Sequence, residues 1–343
     1  MKLHGLRFFS KFLVFLTIGL IFLGALVKST ESGLSVPDWP TTYGHFMFAF
    51  PLDQMVGGIK YEHTHRMLAS IVGLLTLVLC IWLWQSKVNL KLKRLGLIAF
   101  LTVIAQGVLG GLTVKFFLPV WLSMMHGILA QTFLLILVMI AYLLSIEYHH
   151  RKNENDAADG KWLRFILIFT GMIYIQLILG NWMRHTQSGL AIPDFPTMGG
   201  SMIPSMNQIM LDRINTWRFE NNMDPVRMGQ VHIHLLHRIW AFFILLKLLY
   251  INYLAYQKYL NKPLIIKTLF LLNIAVGIQM MLGISTVLFK KEIIVTTLHV
   301  TTGAGVLGLS FLLLLRSSPI TWKDFLVSLR PPKADPPSAE TKQ

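Results

Sequence analysis

One cysteine in 343 residues leaves nothing for it to pair with. An internal disulfide framework and a thiolate metal cluster are both excluded, and Cys80 lies inside an apolar run, where a lone cysteine packs as a small hydrophobe. Charge is scarce as well. Only 14% of the residues are Asp, Glu, Lys or Arg, too few to cover a water-soluble protein of this size. Acidic residues are scarcest, 16 against 31 basic ones, for a formal charge of +15. That excess does not describe a nucleic-acid surface, because it is confined to alternate short segments. These hold Lys2, Arg7 and Lys11; Lys87, Lys91, Lys93 and Arg94; Arg151, Lys152, Lys161 and Arg164; Lys258, Lys262 and Lys267; and Arg316, Lys323 and Arg330. The intervening segments mix signs, as at Lys28, Glu31, Asp38, Asp53, Lys60 and Glu62. This is the positive-inside pattern, and it puts both termini on the cytoplasmic side of a membrane.

What fills the chain instead is apolar. Hydrophobic residues make up 54% and the mean hydropathy is +0.58. Stretches 12–27, 65–84, 95–114, 122–146, 163–183, 233–256, 264–288 and 293–315 each suit a spanning helix of roughly 20 residues. The first has a basic start like a signal peptide, but no small-residue cleavage site follows, so it is read as retained. The expected fold is an all-α membrane protein of eight transmembrane helices, arranged as two tandem pseudo-symmetric four-helix bundles.

The tandem arrangement comes from repetition. The segment Ser32-Gly-Leu-Ser-Val-Pro-Asp-Trp-Pro40 returns as Ser188-Gly-Leu-Ala-Ile-Pro-Asp-Phe-Pro196, 156 residues later (32 to 188). His65-Arg66 returns as His237-Arg238, 172 residues later (65 to 237). Gln106-x-x-x-Gly110-x-x-Thr113-Val114 returns as Gln279-x-x-x-Gly283-x-x-Thr286-Val287, and His126 as His299, both 173 residues later (126 to 299). The change of offset places an insertion of about 16 residues in the second copy's outer loop. Within that loop, 203–219 reads as an amphipathic surface helix, a lid or a plain connector. The organisation expected is a bundle over 1–148, a solvated linker over 149–162, a second bundle over 163–316 and a disordered cytoplasmic tail over 317–343.

Ionisable groups inside spans are costly and call for a reason. Each copy puts one histidine near the outer end of its second span and one near the outer end of its fourth: His65 and His126, then His237 and His299. Facing each other across a four-helix bundle, two neutral imidazoles suit the axial positions of one haem iron. Each pair lacks the further ligands that a structural zinc needs, and no Cys or Met cluster marks a copper site. Gly107, Gly110 and Gly111, with Gly303, Gly305 and Gly308, leave room for a flat macrocycle or serve close helix packing. The copies differ at one position. Glu62 stands three residues before His65, on the same helix face, and its counterpart is His234. A carboxylate in the first half alone suits proton acceptance or charge stabilisation there, with the second half holding a redox haem. The plainer reading pairs Glu62 with Lys60 or Arg66. Arg66 and Arg238 are candidates for haem propionates or for lipid phosphates. Trp39 and Phe195 either cover haem edges or anchor the interface, and His63, His232 and His234 are read as interfacial.

Together, the loop Gly33-Leu-Ser-Val-Pro-Asp-Trp-Pro40, the Glu62-x-x-His65-Arg66 motif, His126, His237-Arg238 and His299 resemble the haem A synthases of bacteria and mitochondria, over about residues 9–316. The resemblance implies an oxidoreductase that converts the ring methyl of haem O to a formyl group through a hydroxylated intermediate, with water as the oxygen source. It implies that His65 and His126 flank the substrate haem O, that Glu62 is catalytic, and that His237 and His299 hold a haem b. The expected setting is a bacterial inner (plasma) membrane. The expected partners are the substrate, lipid, a haem O synthase and cytochrome oxidase assembly factors, with an oligomer possible and no nucleic acid. Some members carry a cysteine pair in an outer loop. The loops here have none, so a thiol route for electrons is not carried over. Two competing readings stand beside this one: a di-haem electron-transfer cytochrome, and a parallel-repeat transporter.

Overall fold

A computed structural model describes residues 2–154 and 160–318. The tail from residue 319 and the middle of the linker therefore lie outside the described residues. Among the described residues, eight helices are long and apolar enough to cross a membrane: α1 (Lys2–Ser29), α2 (Ile59–Gln85), α3 (Leu90–Lys115), α4 (Val120–Leu144), α6 (Gly160–His185), α8 (Met228–Lys258), α9 (Pro263–Leu288) and α10 (Ile293–Ser317). Two shorter helices, α5 (Ile146–Glu154) and α7 (Gln208–Glu220), stand between them. Long unbroken helices are what an apolar solvent demands, since each satisfies its own backbone polar groups. Their ends carry local signals. The Asn89 side chain accepts from Leu92 N at the start of α3, Glu292 from Val295 N at the start of α10, and Pro263 opens α9.

Helices α1 to α4 close a ring in which each contacts the next and α4 returns to α1. Helices α6, α8, α9 and α10 close a second ring in the same order. The rings meet where α10 lies against α1 and α4, and where α4 lies against α6. This agrees with two tandem bundles. Hydrogen bonds cross the seam: Tyr174 to Thr132 at 2.7 Å, Asn181 Nδ2 to the Met124 carbonyl at 2.9 Å, and Arg184 Nη2 to the Ala25 carbonyl at 2.5 Å.

Each ring has an apolar core, and both cores lie mainly toward the end carrying the basic loops. The first is built on Leu6, Leu13, Leu79, Leu83, Leu92, Leu137 and Leu144, and the second on Trp162, Leu163, Phe169, Ile251, Leu269 and Leu313. At the opposite end a buried apolar cluster lies in a loop cap, where Met210, Leu211 and Ile214 of α7 pack on Ala191, Ile192, Val226 and Val231. The stretch read as a surface helix, lid or connector is thus a helix folded back on its own loop. Arg218 fixes it through the Leu190 and Asp224 carbonyls.

Within the linker, His149, His150 and Lys161 are exposed, but Arg151 is not. Ser145 ends α4, and α5 follows at once. Arg151 is buried and donates to the Tyr142 hydroxyl at 2.6 Å. Just before the linker, Glu147 takes both Nε and Nη2 of Arg316, which ties the start of α5 to α10. A run of charges does not reveal that its members have partners on distant helices.

Candidate functional site

The four histidines sit at matching places. His65, His126 and His299 each stand six residues beyond the first residue of α2, α4 and α10, and His237 nine beyond that of α8. His65 lies within electrostatic range of His126, and His237 within range of His299. Each ring rests on a glycine of the membrane-spanning helix that precedes its own. A β-carbon on Gly24 of α1 would come within 2.9 Å of His65 Cε1, and one on Gly110 of α3 within 3.1 Å of His126 Cε1. In the second half the distances are 3.1 Å from Gly180 of α6 to His237, and 3.0 Å from Gly283 of α9 to His299. At Gly24 that is closer than a real β-carbon comes, and at the other three it is tighter than most side chains sit, so a larger residue would push the ring aside. Among the described residues, no three His, Cys, Asp or Glu side chains gather as a metal-binding group.

Glutamines add to these seats. Gln106 Nε2 donates to the His126 carbonyl at 2.9 Å and lies 3.3 Å from the ring Nε2. Gln176 Nε2 lies 3.1 Å from the His237 carbonyl and within 3.2 Å of both ring nitrogens. Gln279 Nε2 is 3.5 Å from His299 Nε2. The Nδ1 atoms of His65, His126 and His299 are sealed from solvent and have no hydrogen-bond partner. Orphaned buried polar atoms are rare in a finished interior. Bare buried nitrogens on His65, His126 and His299, beyond the end of an apolar core, fit a ligand that supplies a metal. The expected room for a macrocycle is narrower than the glycine pattern suggested. Gly107, Gly305 and Gly308 face open space, but Gly110 seats His126, Gly111 lies against the Trp39 ring, and Gly303 is closed by Leu177 and Gln279. Trp39 thus packs on α3.

Glu62 is 3% exposed, and Arg66 is its partner. Arg66 Nη2 lies 2.6 Å from Glu62 Oε1, and the amide of Val36 donates to Oε2 at 2.9 Å. The same guanidinium donates to the carbonyls of Val36, Asp38 and Thr41. The second half repeats this clamp with a different residue. His234 Nδ1 accepts from Ile192 N at 3.1 Å, and Arg238 reaches His234 Nε2 and the carbonyls of Ile192, Asp194 and Thr197. The two arginines therefore fasten the loops around residues 36–41 and 192–197. His63, read as interfacial, is buried, with Nδ1 3.0 Å from Thr42 Oγ1. His232 is exposed beside Trp182 and Arg227 in a shallow groove of about 640 Å³.

The loops are also stapled from within. The Asp38 carboxylate accepts from Thr41 Oγ1, Tyr43 N and Gly44 N at 2.5–2.9 Å, and Asp194 accepts from Gly199 N and Gly200 N at 2.8 Å. Burial pushes the Asp38 pKa up, but the bonds from Gly44, Thr41 and Tyr43 outweigh it and hold the value at about 2, below the ordinary 3.8. A depressed carboxylate stabilises the fold above its unfolded pKa and loses that contribution as pH falls through the folded value. Thermal unfolding of the detergent-solubilised protein should therefore weaken between about pH 4 and about pH 2, and Asp38→Asn should flatten that limb.

Residues 7–311 match the cytochrome oxidase assembly protein family. The chain belongs to the haem A synthase family. It is 27% identical over 293 residues to the "Heme A synthase" of Halalkalibacterium halodurans, covering 82% of this chain and 88% of that protein. The match to the protein of the same name from Lysinibacillus sphaericus is 26% over 300 residues, covering 85% and 90%. That to the one from Pelagibacter ubique is 25% over 331 residues, covering 88% and 94%. Within this haem A synthase family member, sequence reasoning singled out the histidines but missed Gly24, Gly180, Gly283 and Gln176 as parts of their seats. A signal was present. Shifting by the loop offset of 156 aligns Leu20-x-x-x-Gly24 with Gln176-x-x-x-Gly180, an echo of the Gln-x-x-x-Gly of α3 and α9 (20 to 176).

Proposed function

We propose that the protein oxidises the ring methyl of haem O to a formyl group, making haem A for cytochrome oxidase. The observation that carries this is the duplicated site with a single chemical difference. Four seated histidines form two pairs, and only the first pair has a carboxylate, Glu62, where the second has His234. On this reading haem O sits between His65 and His126 as substrate. His237 and His299 would hold a haem b, which supplies one-electron redox chemistry when bound. The net change, methyl plus water to formyl with four protons and four electrons released, needs a base at the first site and an electron exit at the second. Glu62 is the acid–base group proposed, with its position fixed by Arg66 and Val36 N. We further propose that each ring of four helices forms one half-site, that the basic loops face the cytoplasm, and that the protein lies in the inner membrane and receives haem O from its synthase.

The test separates the clamp from the chemistry. Position 62 fastens a loop, and His234 shows that a histidine can do so in the equivalent place. Glu62→His should therefore keep the fold and bound haem while removing the carboxylate, and Glu62→Gln should do the same. Both should stop conversion or stall it at the hydroxylated intermediate when the haem is extracted from cells that make haem O and separated with mass detection. A normal haem A yield from both variants would remove Glu62 from the chemistry. Haem B alone in the parent protein, despite available haem O, would favour the electron-transfer cytochrome.

A further inference from the structure

An ammonium stands in a membrane-spanning helix with only aromatic rings around it. Lys247 of α8 lies level with Phe165 of α6, its Nζ 4.1 Å from the centre of that ring and 5.8 Å from the centre of the Tyr250 ring. Phe165 is five residues beyond the start of α6 (160 to 165), about 8 Å of helix from the end that carries the basic loops. Among the described residues, nothing accepts a hydrogen bond from this ammonium or pairs with its charge. Ring faces attract a cation but leave its three N–H donors unused. Two more donors stand beside it. Tyr250 and Tyr253 follow Lys247 at three-residue steps, their rings stacked with centroids 6.5 Å apart. Both are exposed, and neither hydroxyl has a partner among the described residues. On the turns toward the membrane centre, Ile239, Phe243 and Leu246 expose hydrocarbon.

The first half shows that the fold does not require these groups. The ligand-helix offset of 172 puts Lys247, Tyr250 and Tyr253 on Leu75, Val78 and Ile81 of α2 (75 to 247, 78 to 250, 81 to 253). The first-helix offset of 156 puts Phe165 on Phe9 of α1 (9 to 165). Val78 and Ile81 are exposed like their counterparts, so the same outward face is plain hydrocarbon in one half and polar in the other. A charge inside a span is costly and calls for a partner. We propose that Lys247, Tyr250 and Tyr253 form a headgroup site for one anionic phospholipid of the leaflet at the basic-loop end. The ammonium meets the phosphate charge, the two hydroxyls donate to its oxygens, and the acyl chains lie along Ile239, Phe243 and Leu246. A free phosphate ion would leave that hydrocarbon uncovered, so the occupant is a lipid. The site lies on the outer surface of the second ring of helices, toward the end opposite the histidines, and needs no haem.

Native mass spectrometry of the full-length protein in detergent reads this directly, with phosphatidylglycerol as the anionic probe and phosphatidylcholine as the zwitterionic one. The parent should hold one phosphatidylglycerol more tightly than any phosphatidylcholine. Lys247→Leu installs the residue of the first half. It should weaken that binding about fivefold, the effect of one lysine beside an anionic headgroup, and leave thermal unfolding in lipid-free detergent where it was. Tyr250→Phe with Tyr253→Phe removes the hydroxyls alone and should weaken binding by a similar factor, so it decides the matter if Lys247→Leu fails to fold. Lys91→Leu deletes the same charge near the start of α3, at the same end of the helices, and should keep the tight binding. Parent-like binding of phosphatidylglycerol by both the lysine and the tyrosine variants would overturn the inference. An equal loss in Lys91→Leu would overturn it too, by making the effect one of overall charge. Displacement of the lipid by excess inorganic phosphate would overturn it by making the occupant a free anion.

Discussion

Arg66→Met is expected to be among the most destabilising single changes in this protein, costing about 3–5 kcal/mol. The guanidinium is 8% exposed, and its ion-pair partner Glu62 is 3% exposed. Removing it strands a buried carboxylate and frees three main-chain carbonyls, those of Val36, Asp38 and Thr41, from their donor. Breaking one side of a buried ion pair costs far more than the pair contributes, because the remaining charge stays in an apolar setting. The double variant Arg66→Met with Glu62→Gln should therefore recover part of the loss. Arg238→Met removes a guanidinium that bonds the equivalent carbonyls, those of Ile192, Asp194 and Thr197, but its side-chain partner is His234, which can remain neutral. A neutral imidazole also has one bare nitrogen, so it accepts from Ile192 N or from Arg238, not both. That change should cost less, about 1–3 kcal/mol. Thermal unfolding in detergent gives the order of the three variants, and limited proteolysis within 31–58 shows whether the first loop is released. Equal losses from Arg66→Met and Arg238→Met would mean that the buried charge of Glu62 plays no special part.

The difference between the two clamps also marks what could be read from the sequence. Spans were legible because a membrane needs long apolar runs, and the histidines because they interrupt those runs at repeated places. Arg66 was not legible as a clamp. Most of its acceptors are main-chain carbonyls, which every residue has, so no pattern of residue types announces them. Asp38 was legible as a turn residue, since a carboxylate flanked by prolines and followed by small residues is a local signal. The distant tie from Glu147 to Arg316 was not, because its two ends are 169 positions apart.

Glycines show the same division more sharply. Gly110 and Gly111 are neighbours in sequence and read alike as small residues in a span, but one seats His126 and the other lies against Trp39. Which neighbour each meets is set by the rotation of α3 within its ring, and that depends on packing over the whole bundle. The Gly24 and Gly180 seats were hidden for a different reason. The first helix of each copy keeps the loop offset of 156, while the ligand helices keep 172 or 173, so a single shift cannot align the glycine with the ring it supports (24 to 180, 65 to 237).

Those seats give the second large prediction. Gly24→Val and Gly180→Val should each empty one haem site and leave the other filled, halving the haem bound per protein. Even an alanine β-carbon at Gly24 would stand 2.9 Å from His65 Cε1, closer than real side chains approach, and at Gly180 it would stand 3.1 Å from His237 Cε1. Valine adds two methyl groups at that point, and the seat beneath is main chain, so the ring must leave the axis of its pair. Each change has a control in its own helix. Gly19 in α1 and Gly171 in α6 have nothing within 4 Å of an added β-carbon. Valine there alters helix propensity by only a few tenths of a kcal/mol, in the favourable direction relative to glycine. Pyridine haemochrome assays on purified protein, normalised to protein mass, give the ratio. Full haem in Gly19→Val and Gly171→Val beside half in Gly24→Val and Gly180→Val ties each ring to its own site. If all four variants keep full haem, the rings do not hold iron from these seats. If Gly24→Val loses haem from both sites, the two halves do not load independently.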